Sequence, residues 1–229
     1  MHILKVKMNL YENILIWLLS WLFTYTLIYF GKSKKINYII NYGLMSFIFL
    51  IASIINFITF KILIFDYFKN FMILPFIILA LFFILNTLVY YLSSKYMNKP
   101  IKLIKKYPNE FFLLMNYKYL ISKSFDILFQ QTMILILILL LIKNNFYILE
   151  IIFLFAILFG GIHIFQYIRS GKFFGTYYLI FSILSSFIFP LIIIKLNYGV
   201  IYTYIIHWLF YTLSALYFWY YNNKKYNIL

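Results

Sequence analysis

Three pairs of residues in this chain have the types and the spacing that could do chemistry. Each pair is four residues apart, in a stretch otherwise apolar enough to cross a membrane: Asp126 with Gln130, Phe159 with His163, and His207 with Tyr211. Residues four apart lie on the same face of a helix, so we expect the three pairs to converge on one polar cavity. An ionisable side chain inside a membrane span is by default a candidate functional group, for proton transfer or for pairing across helices.

The segment 124–131, Ser-Phe-Asp-Ile-Leu-Phe-Gln-Gln, allows two interpretations of Asp126. If Ser124 caps the helix, the carboxylate lies in the first turn, where the helix dipole favours it without any function. Gln130 and Gln131 favour a functional site, because two adjacent amides deeper in a span need hydrogen-bond partners that lipid cannot supply.

The two histidines are the other informative residues. His163 follows Gly160 and Gly161, which by themselves would indicate only the close approach of a neighbouring helix. A packing histidine is the alternative to a functional one, both here and at His207. By chain direction and rise per residue, His163 lies about 8 Å from the cytoplasmic end of its span and His207 about 20 Å from its own. Their convergence therefore requires a tilted or displaced last span, or a cavity that reaches the membrane midplane.

Composition identifies an integral membrane protein. Of the 229 residues, 66% are apolar, and the mean hydropathy is +0.93, far above that of a soluble domain. The formal net charge of +15 comes from lysines between the apolar stretches, so it indicates orientation in a membrane and not binding of nucleic acid. The chain has no cysteine, which excludes disulfides and thiolate metal sites.

Apolar stretches of about 20 residues, long enough to cross a membrane, recur along the chain. We predict seven spans in one all-α transmembrane domain, residues 1–229. Their approximate limits are 8–30, 37–60, 71–93, 124–142, 146–168, 173–195 and 200–221. The longest polar interval, 94–123, contains an apolar run at 111–115, and we expect it to lie along the membrane surface as an amphipathic, basic anchor.

The basic residues divide unevenly between the two faces of such a bundle. Six lie on the face of the N-terminus and fourteen, Lys123 among them, on the other face. The positive-inside rule makes the second face cytoplasmic. We therefore expect a multi-pass protein of a bacterial-type plasma membrane, with the N-terminus outside and the C-terminus inside.

The order of the polar pairs resembles the CPBP family of intramembrane proteases, also called the Abi or CAAX-protease family. That family has Glu-Glu-x-x-x-Arg on one helix, Phe-x-x-x-His on the next, and His-x-x-x-Asn or Asp two helices later. The corresponding stretches here are Phe125-Asp126-x-x-x-Gln130, Phe159-x-x-x-His163 and His207-x-x-x-Tyr211, within about residues 111–221. Gly199 is similar to the glycine that opens the last motif helix. The second motif is intact, whereas the first lacks one carboxylate and the arginine, and the third lacks its final amide or acid.

The resemblance implies an intramembrane endopeptidase that cleaves a membrane-associated or lipidated peptide with an activated water molecule. Asp126, His163 and His207 would be catalytic, and the side chains supporting the cavity would be Gln130, Gln131, Phe159 and Tyr211. No cofactor is required. A zinc ion held by Asp126, His163 and His207 is an alternative that we do not favour, because no His-Glu-x-x-His helix is present.

The departures from the family motifs motivate a second hypothesis. Phe125 cannot take a proton, and an aspartate is one methylene shorter than the family's glutamate. The chain would then be a non-catalytic pseudoprotease or a bacteriocin-immunity-type protein that binds a peptide or lipid in the former active-site cavity. A small transporter or assembly subunit is a third hypothesis, against which stands the lack of repeated halves.

Overall fold

A computed structural model describes residues 9–33, 37–70 and 72–226, with side chains except at 29–33, 165, 166, 168, 169 and 222–226. The described residues form helices joined by short turns and contain no strand. The helices are α1 (Leu10–Ser33), α2 (Tyr42–Thr59), α3 (Lys61–Tyr67), α4 (Leu74–Tyr96), α5 (Ile101–Lys106), α6 (Tyr117–Lys143), α7 (Ile148–Phe155), α8 (Gln166–Lys195) and α9 (Gly199–Tyr226). A 3₁₀ turn, Phe111–Leu114, precedes α6. A π turn, Ala156–Gly160, and a 3₁₀ turn, His163–Phe165, follow α7.

The predicted all-α, polytopic transmembrane bundle is confirmed. Within the described ranges, α1, α2, α4, α6, α8 and α9 are the six helices long and apolar enough to cross a membrane. The fifth predicted span, 146–168, is instead a broken segment whose apolar helical part runs from Ile148 to Gly160. Its regular helix ends at Phe155 and widens into the π turn that ends at Gly160, the first residue of the Gly160-Gly161 pair. Glycines favour such a break because they are poor helix formers.

Helix α6 is the central element of the bundle. In its most apolar stretch 72% of the residues are buried, against 17% in α1 and in α4. A membrane helix with so little lipid contact must satisfy its polar groups against its neighbours. The indole Nε1 of Trp17 in α1, for example, donates to the main-chain carbonyl of Met133 at 2.7 Å.

The start of α6 differs from the prediction. The helix begins at Tyr117, seven residues before the predicted span, and the side chain of Asn116 accepts the N–H of Lys118 as its cap. Asp126 therefore lies in the third turn, so the interpretation of Asp126 as a first-turn residue of a helix capped by Ser124 is wrong. The hydroxyl of Ser124 donates to the main-chain carbonyl of Leu120 within the helix.

Helix α9 runs antiparallel to α6, and this direction brings the histidines together. His207 contacts Gln131, and one turn later the ring of Tyr211 lies under the ammonium group of Lys123. His163 lines the same cavity as His207. The depth difference expected from the sequence therefore does not separate them.

The apolar run at 111–115 is not part of a surface helix. Only the short α5 forms an exposed helix in the polar interval, and Phe112 and Leu113 are fully buried in the bundle. The indole of Trp219 donates to the main-chain carbonyl of Leu113, which ties the 3₁₀ turn to the end of α9. The expected amphipathic anchor is thus replaced by a segment inserted between helices, because its aromatic side chains find partners there.

The glycine that opens α9 has a steric role. A Cβ atom at Gly199 would lie 2.2 Å from the carbonyl oxygen of Ile192 at the end of α8. Only glycine permits this close approach of the two helices. The tight α8–α9 connection positions His207 two turns further along.

Candidate functional site

Asp126 lies in a cluster of hydrogen-bond donors on the inner face of α6. Its Oδ1 accepts from the Tyr25 hydroxyl at 2.9 Å and from Gln130 Nε2 at 2.8 Å. Its Oδ2 accepts from the Tyr38 hydroxyl at 2.8 Å and from Lys123 Nζ at 2.6 Å. We call these five residues the Asp126 cluster.

The Asp126 carboxylate is fully engaged by the protein. A carboxylate has about four lone-pair positions, and four donors occupy them. The side chain of Asp126 is 1% exposed. A water molecule activated by this group would first have to displace one of the donors.

The placement of Lys123 at the membrane surface, expected from its position in the sequence, is wrong. Its side chain is buried and forms an ion pair with Asp126 one turn along α6. Its ammonium group also lies 4.4 Å from the ring centroid of Tyr211. The signal was present as Lys-x-x-Asp, because residues three apart share a helix face.

The two tyrosines of the Asp126 cluster were also missed. Tyr25 comes from α1, and Tyr38 lies in the turn before α2. The main-chain carbonyl of Tyr38 also accepts a hydrogen bond from the Ser122 hydroxyl of α6. Nothing in the local sequence distinguishes them from the other 22 tyrosines of the chain. Only the packing of α1 and α2 against α6 shows which phenols are used.

Gln130 and Gln131 serve different neighbours, because successive residues of a helix point about 100° apart. Gln130 belongs to the Asp126 cluster. The amide oxygen of Gln131 accepts from the Thr203 hydroxyl at 2.8 Å, and its Nε2 donates to His207 Nδ1 at 3.1 Å. The expected need of both amides for protein partners is thus met on two adjacent faces of α6.

The hydrogen bonds of the histidines assign opposite tautomers to the two rings. His207 Nδ1 accepts from an amide N–H, so the proton of the neutral ring is on Nε2. His163 Nδ1 lies 3.0 Å from the main-chain oxygen of Phe159, which can only accept, so Nδ1 carries the proton and Nε2 keeps its lone pair. The ring of Phe159 packs edge-on against His163, with centroids 5.0 Å apart.

Both histidines line one cavity of about 520 Å³ between the 159–163 turn, α8 and α9. We call it the histidine cavity. Its walls are mostly aromatic and aliphatic, with hydroxyl groups contributed by α8 and α9. The polar and aromatic residues among them include Phe159, Tyr177, Tyr178, Ser182, Ser185, Tyr211 and Ser214. With opposite tautomers, the Nε2 atoms of His163 and His207 supply one acceptor and one donor.

Asp126, Gln130 and Gln131 do not belong to the cavity lining given by the described residues. Tyr211 connects the two regions: its ring is stacked on His207 with centroids 5.7 Å apart, and it also contacts Lys123. The three polar pairs therefore form two adjacent sites and not the single cavity expected from their spacing.

The described part of the chain contains no group of three or more histidine, aspartate or glutamate side chains arranged to hold a metal ion. Asp126, His163 and His207 are accordingly not brought together as a ligand set. The Asp126 carboxylate instead forms an ion pair with the ammonium group of Lys123.

Comparisons of this chain with protein-family models, with curated proteins and with solved structures find no match. The resemblance to the CPBP family therefore rests on the motif residues alone.

Proposed function

We propose that this integral membrane protein is a non-catalytic binding protein, a pseudoprotease-like or immunity-type relative of the CPBP proteases. The observation that supports this proposal is that protein donors occupy all the acceptor positions of the Asp126 carboxylate. Four protein donors occupy the carboxylate, and one of them is a buried ammonium group. A general base must instead be within reach of the proton that it removes, with an acceptor position available for it.

The histidine cavity is the proposed binding site. Its apolar walls suit a side chain or an acyl segment, and the acceptor on His163 and the donor on His207 suit a group that both donates and accepts, such as a peptide amide. We therefore infer that the ligand is a membrane-associated peptide, lipidated or not, whose amide group lies between the two rings.

An intramembrane endopeptidase is the second candidate, and one observation favours it. His163 and His207 line the same cavity, as they would in a site that activates water and stabilises an oxyanion. In that case the Tyr25 or Tyr38 hydroxyl would have to leave Asp126 in the presence of substrate.

The test is to incubate the purified full-length protein in lipid nanodiscs with a panel of fluorescently labelled synthetic membrane peptides. Binding is followed by anisotropy and cleavage by mass spectrometry. We expect saturable binding of some peptides, no cleavage, and binding weakened about tenfold by His163→Ala and by His207→Ala. Tyr91→Ala, at an exposed position on α4, is the control and should bind normally.

Peptide cleavage that is lost in both Asp126→Asn and His163→Ala would contradict the binding-protein proposal and establish the endopeptidase. Equal peptide binding by the wild-type chain and both histidine variants would exclude the cavity as the binding site.

We also infer that the N-terminus is outside and the C-terminus cytoplasmic, which requires the broken segment from Ile148 to Phe165 to cross the membrane in addition to the six long helices. Fourteen of the twenty basic residues support this orientation by sequence position. Burial of Lys123 removes one of them from the surface, which leaves thirteen against six and the same direction. Labelling of single cysteines, introduced near each end of this cysteine-free chain, tests the orientation in intact cells.

A further inference from the structure

The histidine cavity is long and opens to the lipid. Its lining covers residues 177–189 of α8 and 206–217 of α9, which at 1.5 Å per residue is about 17 Å along each helix. Leu184 on α8 and Leu213 on α9 line the cavity and are also 49% and 58% exposed. Because an exposed side chain on a membrane-spanning helix faces lipid, the cavity opens to the hydrocarbon region between α8 and α9.

The volume of the cavity excludes a whole helix as its occupant. A helix of that length is about 10–12 Å across with its side chains, so its volume is well over twice the cavity volume of about 520 Å³. An occupant that fills this length is therefore a single extended chain, which is either the main chain of an unwound peptide or a hydrocarbon chain.

The hydroxyl groups that line the cavity do not suit an extended main chain. The serine hydroxyls already donate to main-chain carbonyls of their own helices, at Ser182, Ser185 and Ser214. The Tyr177 hydroxyl is bonded to Ser214, and the Tyr178 hydroxyl donates to Glu110. About five residues of extended peptide would occupy 17 Å, and several of their carbonyls would lack a donor among the described residues. A hydrocarbon chain fills the same space without unpaired polar groups.

The two histidines suit a single amide at one end of such a chain. The Nε2 of His163 is an acceptor and the Nε2 of His207 is a donor, which matches the N–H and the carbonyl of one secondary amide. The distance along α9 from His207 to Tyr217 is about 15 Å. An extended chain advances about 1.2 Å per bond, since three main-chain bonds span about 3.6 Å, so this distance holds about twelve bonds.

We propose that the histidine cavity binds an N-acylated peptide. The amide that joins the acyl chain to the peptide lies between His163 and His207, and an acyl chain of about twelve carbons runs between α8 and α9 toward Tyr217. This inference rests on the proposed function and selects one ligand class from it. Since the acyl chain passes from lipid into an equally apolar cavity, it contributes little affinity by itself. The amide therefore decides which acylated molecule binds.

The test compares two short fluorescent peptides that differ only in the link to the acyl chain. One carries a dodecanoyl chain on its N-terminal nitrogen, and the other carries the same chain as an ester on a hydroxy acid at that position. Binding to the full-length protein in nanodiscs is followed by anisotropy, with protein-free nanodiscs to subtract partition into lipid. We expect the amide to bind about tenfold more tightly, because the ester has no N–H for His163 Nε2. Equal affinities would overturn the proposal.

Three variants locate the amide and the chain. His163→Ala should remove the preference for the amide over the ester, and an unchanged preference in the folded variant would show that the amide lies elsewhere. Ser185→Phe places a ring between the two ends of the cavity and should weaken binding of the dodecanoyl peptide about tenfold. Ile183→Phe, at an exposed position of α8 outside the cavity lining, is the matched control and should bind normally. Equal affinities of the two phenylalanine variants would show that the chain binds outside the cavity.

Two further ligands separate this inference from the proposed function. The same peptide without its acyl chain should bind at least about tenfold more weakly. If it binds as tightly as the acylated peptide, the peptide-binding proposal stands and this inference fails, whereas both fail if neither peptide binds. Free dodecanamide should not displace the acylated peptide at equal concentration. Displacement would identify a free lipid amide as the ligand and overturn the assignment to a peptide.

Discussion

The Asp126 cluster and the histidine cavity are two polar regions on adjacent faces of the same bundle, and they differ in how their hydrogen bonds are used. In the cluster, four protein donors meet one carboxylate. In the cavity, each histidine uses only its Nδ1 atom in a hydrogen bond to the protein, and both rings line a space of about 520 Å³. Motif residues of similar spacing thus have all their acceptor positions filled by protein donors in one place and line a cavity in another.

The largest effect that would test this comparison is expected from Asp126→Ala. It leaves Lys123 charged and buried without its partner, so the free energy of unfolding should fall by about 3–5 kcal/mol. Unfolding by SDS titration in mixed micelles measures the change. The double variant Lys123→Met with Asp126→Leu should recover only part of the loss, because Tyr25, Tyr38 and Gln130 still lack their acceptor. A stable Asp126→Ala protein that has lost peptide cleavage would instead make Asp126 catalytic.

Loss of a single phenol from the cluster should have a smaller effect. Tyr38→Phe removes one hydrogen bond to a charged acceptor and should cost about 1.5–3 kcal/mol, with no change in peptide binding. Tyr91→Phe, on the exposed face of α4, is the matched control and should change stability by less than about 0.5 kcal/mol. Equal stabilities of the two variants would show that the cluster contributes little to the fold.

Substitution of Gln130 and of Gln131, one at a time, distinguishes the Asp126 cluster from the histidine cavity. Gln131→Leu leaves His207 Nδ1 without its donor and Thr203 with only the Val200 carbonyl as acceptor, and we expect a loss of about 1–3 kcal/mol together with weaker peptide binding. Gln130→Leu should lower stability to a similar degree but leave binding unchanged. Peptide anisotropy and SDS titration on both variants test this. Equal losses of binding would mean that the two regions act as one site.

The smallest effect is expected at Tyr211, which contacts both regions. Tyr211→Leu removes the ring from beside Lys123 and His207 and should cost about 0.5–2 kcal/mol, whereas Tyr211→Phe keeps the ring and should cost less. Unfolding measurements on the pair isolate the contribution of the ring. If Tyr211→Phe were the more damaging change, the hydroxyl and not the ring would connect the regions.

Much of the architecture could be predicted because lipid imposes simple rules. Apolar length predicts membrane spans, and six helices of sufficient length occur in the described ranges. The predictions that are wrong concern segments where polar residues interrupt the apolar pattern. The polar character of 94–123 concealed both the early start of α6 and the insertion of Phe112, because hydropathy does not show whether a residue near a helix end faces water or protein.

By itself the sequence determined that the chain is an all-α membrane protein and that Asp126, Gln131, His163 and His207 need polar partners, since neither lipid nor an isolated helix can satisfy them. Which partners they find was decided by the tertiary structure. Lys123, Tyr25 and Tyr38 reach Asp126 only because α1, the turn before α2 and α6 pack together. Asp126 and the two histidines form separate sites, one filled by protein donors and one lining a cavity. This separation follows from contacts between residues far apart in the chain, which no local sequence pattern predicts.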